Sequence, residues 1–234
     1  MRSDEFVDLY KKFEDALEAR YAQKKRRYTS VIYEFLNDNE SLPVRENVNT
    51  CREIRNLLAH NAKISGQAVV EPSEAVTEIL RDLVEYVNKP PLAIDFASRG
   101  DSIYKANLGQ TVLKTMNNMV KSGYSHVPIM ENGKFFGVFS AGTVFSYVLN
   151  NYPEPITKNT TLRELNNLLP VNMHSENYVF ADAKMTLHEA REAFESVKAK
   201  NRRVSVIFIT QHGRQDEPLL GLLTPWDVLG GEDR

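Results

Sequence analysis

The C-terminal part of the chain repeats one order of strands and helices, and this repeat most constrains how the chain can fold. Two motifs carry it: Val127-Pro128-Ile129 corresponds to Val204-Ser205-Val206, and Gly137-Val138-Phe139-Ser140 corresponds to Gly221-Leu222-Leu223-Thr224. Strand-like and helix-like segments alternate around both. A recurring order of this kind indicates an internal duplication. The predicted unit is β-α-β-β-α. In the first copy, strands are predicted at 102–108, 126–130 and 135–140 and helices at 111–121 and 143–149. In the second copy, strands are predicted at 178–182, 204–210 and 218–224 and helices at 187–198 and 226–229. Asn132-Gly133 predicts a hairpin turn between two strands of the first copy, and a further helix is predicted between the copies, from Thr160 through Leu168.

The N-terminal part has only helical periodicity. Apolar residues recur at helical spacing over 4–36, 44–61 and 72–87. The first segment predicts either one long helix or two helices broken near Lys24. Lys89-Pro90-Pro91 then forms a stiff boundary. The predicted fold class is therefore α+β, with an all-α domain over 1–88 and the duplicated unit over 92–231, its copies covering about 92–151 and 156–231.

Composition excludes several classes of protein. Lys and Arg total 29 against 31 Asp and Glu, a net charge of −2 that argues against a protein coating nucleic acid. Cys51 is the single cysteine, so no intramolecular disulfide can form, and we expect a buried structural thiol in a reducing compartment. No apolar run approaches the roughly 20 residues that span a membrane. We expect a cytoplasmic protein without membrane contact.

The end of each copy places hydroxyl and acidic groups where a strand turns into a helix. Ser140 in the first copy corresponds to Thr224 in the second, which Asp227 follows. Thr224 and Asp227 could hold a ribose, with the carboxylate accepting from two hydroxyls. The alternative is a helix cap, with the Asp in the first turn of the helix. Trp226 is expected in the core, and His174, His188 and His212 lack the paired spacing of a metal site, which favours surface positions.

The duplicated part resembles a tandem pair of CBS domains, the Bateman module, over about 92–231. The resemblance rests on Tyr124–Ile129, on Gly137–Ser140 and above all on Pro218–Asp227. It implies that an adenine nucleotide (AMP, ADP or ATP) binds in a cleft between the copies as a regulatory ligand. Carried over by position, Thr224, Asp227 and Ser140 would hold ribose hydroxyls, and Arg202 and Arg203 would meet phosphates. Thr143 stands where the first copy should have an acid, which favours one competent cleft, in the second copy.

A second motif lies in the helical part, where Arg55, Asn56 and His60 follow one another on one predicted helix. A guanidinium grips phosphate and an imidazole moves a proton near neutral pH, a combination suited to phosphodiester cleavage. Arg55 and His60 lie about 140° apart around the helix and roughly 7.5 Å apart along it, so a second subunit should be needed to complete the site. The alternative is a solvated Arg and a His that ends a helix.

The segment Arg52–Asn61 resembles the Arg-polar-x3-His motif of HEPN domains, many of which are dimeric, metal-independent ribonucleases. That resemblance implies His60 as general acid or base at the RNA 2′-hydroxyl, Arg55 as stabiliser of the phosphorane charge and Asn56 as an orienting group. No metal would be required. The basic stretch Arg20–Arg27 either guides RNA or is a solvated helix face.

Together the two resemblances predict a homodimeric, nucleotide-regulated HEPN-type endoribonuclease that cleaves tRNA or another RNA, with an adenine nucleotide sensed by the CBS pair. The alternative is a non-enzymatic adenine-nucleotide sensor whose helical domain mediates dimerisation or docks a partner.

Overall fold

The computed structural model describes residues 2–23, 26–60, 71–150, 155–196 and 203–229, and the chain divides at Pro91–Leu92 into two compact units. The N-terminal unit is helical, and the C-terminal unit combines strands with helices. The predicted α+β class is confirmed. In the described ranges, no helix combines the length and apolar character that crossing a bilayer requires.

The N-terminal unit contains four described α-helices and one 3-10 turn. These are α1 (Arg2–Tyr21), α2 (Val31–Leu36), the 3-10 turn Asn39–Val44, α3 (Arg45–His60) and α4 (Glu74–Asn88). The chain between α1 and α2 is therefore not one continuous helix, and Lys24 itself lies outside the described residues. Ser73 caps α4 by accepting from the Val76 backbone N–H.

Apolar stripes at helical spacing build the core of this unit. The fully buried side chains come from α1, α2, α3 and α4 and include Phe6, Phe13, Leu17, Phe35, Val48, Cys51, Leu80 and Leu83. Phe13 and Phe35 meet edge to face with ring centroids 6.2 Å apart. Cys51 is fully buried, as predicted, and burial raises the pKa of its thiol to about 11, which leaves it a structural residue.

The C-terminal unit contains seven short strands and four α-helices in its described residues. They are β1 (Ser98–Arg99), β2 (Ala106–Asn107), α5 (Val112–Ser122), β3 (His126–Glu131), β4 (Lys134–Ser140), α6 (Ala141–Asn150), β5 (Asn177–Asp182), α7 (Leu187–Glu195), β6 (Val204–Thr210), β7 (Gly221–Leu223) and α8 (Pro225–Leu229). One sheet has the order β2-β3-β4, and the other has the order β1-β7-β6-β5. The order of elements repeats as the sequence predicts.

The two copies exchange their leading segments. Strand β1 lies in the leading segment of the first copy yet pairs antiparallel with β7 of the second. Leu92 bridges to Thr186 just before α7, and Thr161 bridges in the same way to Thr111 just before α5. Each leading segment thus completes the other copy, which ties the copies into one unit.

The turn between β3 and β4 has the predicted form. Asn132 and Gly133 have φ of 51° and 76°. Positive φ at both central residues defines the type I′ hairpin that an Asn-Gly pair favours, so this prediction is confirmed.

Three predicted elements are different in the structure. The strand predicted over 102–108 contains only Ala106–Asn107, because Gly100–Ser102 forms a 3-10 turn in which the Ser102 hydroxyl bonds the backbone of Arg99. The strand predicted over 218–224 shortens to Gly221–Leu223. The helix predicted from Thr160 is the 3-10 helix Leu162–Leu168.

Candidate functional site

A pocket of about 540 Å³ opens in the first copy, between α5, α6 and the start of β3. Its walls are apolar, and its polar groups gather at one end. The apolar wall is formed by Met116, Met119, Val120, Phe139 and Val144, and the polar end by Ser125, His126, Ser140 and Glu176. A volume of a few hundred Å³, an apolar lining and a few converging polar groups are typical of small-molecule sites.

Local sequence explains how this pocket is framed. Thr111 caps α5 by accepting from the Lys114 backbone N–H, and Gly123 ends the helix in the left-handed conformation at φ 72°. At the other side, the Thr143 hydroxyl accepts from the Ser140 backbone N–H in the turn that starts α6. Thr143, which occupies the position of the expected acid, therefore caps a helix.

A carboxylate from the second copy replaces the missing acid. Glu176 Oε2 accepts hydrogen bonds from the Ser140 hydroxyl at 3.0 Å and from the Tyr178 hydroxyl at 2.7 Å. Its other oxygen, Oε1, lies 3.2 Å from His126 Nε2. His126 Nδ1 lies 2.9 Å from the Ser125 hydroxyl, so both ring nitrogens have partners.

This network keeps Glu176 ionised. The hydrogen bond from His126, with further bonds from Tyr178 and Ser140, lowers the pKa of Glu176 to about 2 against the opposing effect of burial. Burial and the Glu176 carboxylate raise the pKa of Tyr178, so its hydroxyl stays a donor. The polar end therefore presents a fixed negative charge to the pocket.

His174 lies beside this network and is half-buried, not at the open surface that the sequence predicts. Its Nε2 lies 3.0 Å from the Leu169 carbonyl oxygen, and its ring meets Tyr178 edge to face at 5.1 Å. Burial lowers the pKa of His174, which favours the neutral ring. The chain from Leu169 to Glu176 is thus held against β4.

In the second copy, the predicted ribose-binding groups bond to each other. Asp227 Oδ2 accepts from the Thr224 hydroxyl and from the Thr224 backbone N–H, both at 2.7 Å. This is the helix-cap geometry that the sequence left open as an alternative. Trp226 is 84% exposed, so the prediction that it lies in the core is wrong.

Only one of the two predicted phosphate-binding arginines is described. Arg203 is exposed and lines a smaller pocket of about 160 Å³ together with Arg191 and Pro225. Arg202 lies outside the described residues. Thr224 and Asp227 are not among the residues that line this small pocket.

The HEPN-like motif lies on α3. Arg55 is half-buried, with its guanidinium 5.9 Å from the centre of the Tyr10 ring, and Asn56 is exposed. Burial raises the pKa of Tyr10 to about 12, and Arg55 opposes that shift. His60 ends the helix, and its side chain lies outside the described part of the chain.

The basic stretch near the end of α1 is partly used for structure. Arg20 forms an ion pair with the buried Glu40, and it donates to the Val87 carbonyl oxygen at 2.9 Å. Arg26 pairs with Glu18 at 2.8 Å. Lys24 and Lys25 lie outside the described residues. Arg20 therefore links α1 to the rest of its unit, a role that sequence alone did not reveal.

Sequence reasoning did not identify His126 and Glu176 as site residues. His126 sits directly before the Val127-Pro128-Ile129 motif, a position that could have drawn attention to it. Glu176 carries no local signal, because it reaches the pocket only through the packing of the two copies.

Comparisons with known proteins identify one family in the C-terminal part of the chain. Residues 93–150 match the CBS domain family, so the first copy is a CBS domain. No curated protein matches the chain. One similar solved structure is CBSX2 in complex with AMP, which has 14% identity and a TM-score of 0.42 over 60% of this chain and 94% of that chain. A CBS domain-containing protein from Bacillus anthracis has 15% identity and a TM-score of 0.43 over 60% of this chain and 91% of that chain. A protein described as the acetoin utilization protein AcuB from Vibrio cholerae has 16% identity and a TM-score of 0.44 over 59% of this chain and 87% of that chain.

Proposed function

We propose that this protein is a regulatory sensor whose C-terminal unit binds an adenine ligand, either a nucleotide or its nucleoside. CBS domains commonly serve this role, and residues 93–150 match that family. The observation that carries the proposal is the 540 Å³ pocket of the first copy, with its apolar walls and a polar end built from His126, Ser140 and Glu176.

The pocket suits a purine nucleoside moiety. Met116, Met119 and Phe139 offer apolar contacts to a planar base, and Met adapts well to aromatic rings. Glu176 offers an ionised acceptor for a ribose hydroxyl or an amino group. The ligand would then join α5, α6 and the chain before β5, and its binding would couple the two copies.

Isothermal titration with adenosine, AMP, ADP and ATP tests this function. The structure offers a matched pair of variants, because Ser140 and Thr224 are equivalent hydroxyls of the two copies. We expect Ser140→Ala to weaken binding several-fold, because Ser140 lines the first pocket and its hydroxyl holds Glu176 there. Thr224→Ala should leave binding nearly unchanged, because Thr224 is not among the described residues that line the second pocket. If the wild type binds no adenine compound, the sensor function is refuted. A loss confined to Thr224→Ala would instead favour the second copy.

Homodimerisation belongs to the same proposal. Helix α6 exposes three large apolar side chains, with Phe145 68%, Leu149 63% and Val148 45% exposed. Contiguous exposed apolar groups often mark interaction surfaces. Light scattering after gel filtration should give a dimer for the wild type and a monomer for Phe145→Ser, whereas Trp226→Ser should remain dimeric. A monomeric wild type would contradict this part.

The second candidate function is an HEPN-type endoribonuclease in the N-terminal unit. The exposure of Asn56 and the partial exposure of Arg55 support it, since catalytic groups must reach substrate. Incubation with tRNA and total RNA in the presence of chelator should then give products with 2′,3′-cyclic phosphate ends. Arg55→Ala and His60→Ala should abolish cleavage, and Arg26→Ala should leave it intact. The absence of cleavage sensitive to these variants would remove this candidate.

A further inference from the structure

The duplicated unit contains two pockets at equivalent positions. The two copies can be aligned on the helix caps Thr111 and Thr186, on the strand motifs that begin at Val127 and Val204, and on Gly137 and Gly221. In this alignment, six equivalent positions line both pockets. Those pairs are Met116 and Arg191, Met119 and Phe194, Val120 and Glu195, His126 and Arg203, Ala141 and Pro225, and Val144 and Val228. The copies therefore kept the location of a pocket while its chemistry diverged.

The divergence concerns charge. Three positions differ in charge or polarity, where the first copy has Met116, Val120 and His126 and the second has Arg191, Glu195 and Arg203. The first pocket also receives the carboxylate of Glu176. Among the described residues, those that line the first pocket include no Lys and no Arg.

We infer that the first pocket selects a nucleoside without phosphate, with Glu176 and His126 as the residues that set this preference. The inference rests on the proposed function, since it specifies the form of the adenine ligand. Adenosine, or another uncharged or cationic nucleoside, fits the pocket better than AMP, ADP or ATP.

The hydrogen bonds at the polar end explain this preference. An ionised carboxylate accepts from hydroxyl and amino donors and repels phosphate oxygens. The three donors that already bind Glu176 leave it further acceptor capacity, because a carboxylate offers about four lone-pair positions. A ribose hydroxyl or an amino group can use that capacity, and a phosphate cannot.

Both ring nitrogens of His126 already face partners within the protein. Its Nε2 faces Glu176 and its Nδ1 faces Ser125, and the side chain is only 11% exposed. A proton on Nε2 is therefore directed to the carboxylate and not to an incoming phosphate. In the second copy, the equivalent Arg203 is exposed and carries a permanent charge.

Isothermal titration of the full chain with adenosine and AMP tests the inference. Measurements are made in the wild type and in Arg203→Ala, which removes the guanidinium of the second pocket. We expect adenosine to bind at least about tenfold more tightly than AMP in both proteins, a ratio that corresponds to about 1.4 kcal/mol. AMP binding as tight as adenosine in Arg203→Ala would overturn the inference while leaving the sensor function intact. If neither ligand binds, the proposed function itself fails.

Two variants of the first pocket locate the cause of the preference. Glu176→Gln keeps the size of the side chain and removes its charge, so the ratio of adenosine to AMP affinity should fall to near one. His126→Arg introduces the residue of the second copy and should favour AMP. Circular dichroism checks that each variant is folded, and His126→Arg alone decides the question if Glu176→Gln does not fold. A ratio that neither folded variant changes would also overturn the inference.

Discussion

Replacing Gly137 by alanine should destabilise the C-terminal unit far more than the same change at the equivalent Gly221. A Cβ at Gly137 would fall well inside contact distance of the Leu169 carbonyl oxygen and 2.5 Å from the carbonyl carbon. Both atoms belong to backbone, which cannot rotate away. A Cβ at Gly221 would meet only side-chain atoms, at 3.1 Å from Ala97 Cβ and 3.5 Å from Ile209 Cβ.

The expected loss of unfolding free energy follows from the backbone shift that the new Cβ would force. Relieving the overlap displaces the Leu169 carbonyl, which accepts from the Val138 backbone N–H at 2.9 Å. Losing that hydrogen bond costs about 1 kcal/mol, and overpacking adds about 2 kcal/mol. A total of about 3 kcal/mol lowers the melting temperature of a unit of this size by roughly 6–12 °C. Gly221→Ala should cost less than about 1 kcal/mol, since a shift of a few tenths of an ångström at Ala97 relieves the contact.

Differential scanning calorimetry of the full chain measures both variants. Gly137→Ala should also weaken ligand binding, because the displaced segment leads from Leu169 through His174 to Glu176 at the pocket. The reasoning is refuted if Gly137→Ala melts within about 2 °C of the wild type, or if Gly221→Ala is equally destabilised.

Three further predictions concern single interactions. The pKa of Glu176 is lowered from 4.5 to about 2, so the ionised carboxylate stabilises the fold above pH 4.5, and this stabilisation is lost as the pH falls towards 2. In acid titrations, the difference in unfolding free energy between wild type and Glu176→Gln should therefore shrink over that range. A difference that stays constant would contradict this prediction. Thr186→Ala removes the cap of α7 and should cost about 1 kcal/mol in urea denaturation, with no change expected if the cap is unimportant. Arg20→Ala removes the ion pair to the buried Glu40 and the hydrogen bond to the Val87 carbonyl oxygen, and it should cost about 3 kcal/mol in the same assay. Arg26→Ala at the surface should cost under about 1 kcal/mol. Equal losses would rule out a structural role for Arg20.

Local patterns in the sequence predicted the elements that local chemistry decides. The Asn132-Gly133 turn follows from the need for positive φ at two adjacent residues. The division into a helical part and a duplicated part follows from the change of hydrophobic period at Lys89-Pro90-Pro91. The buried state of Cys51 follows from its place beside the apolar face of α3.

Features that depend on contacts between distant segments were not predictable in this way. Strand β1 joins the sheet of the second copy, and no local pattern indicates that exchange. Glu176 reaches Ser140 across the two copies, so the acid that the first motif lacks is supplied from outside it. At 102–108 the sequence predicts a longer strand than the structure contains. The strand is limited to Ala106–Asn107, and Ser102 belongs to a 3-10 turn despite the strand propensity of this segment.

Hydrogen–deuterium exchange with adenosine or AMP tests the central claim most directly, because it locates a bound ligand along the chain. We predict slower exchange in peptides covering 116–126, 139–144 and 174–178, which frame the first pocket, and little change in α3 or in the turn at Thr224. Protection confined to α3 or to the Thr224 turn, or no protection at any ligand concentration, would contradict the assignment of the first copy as the ligand site.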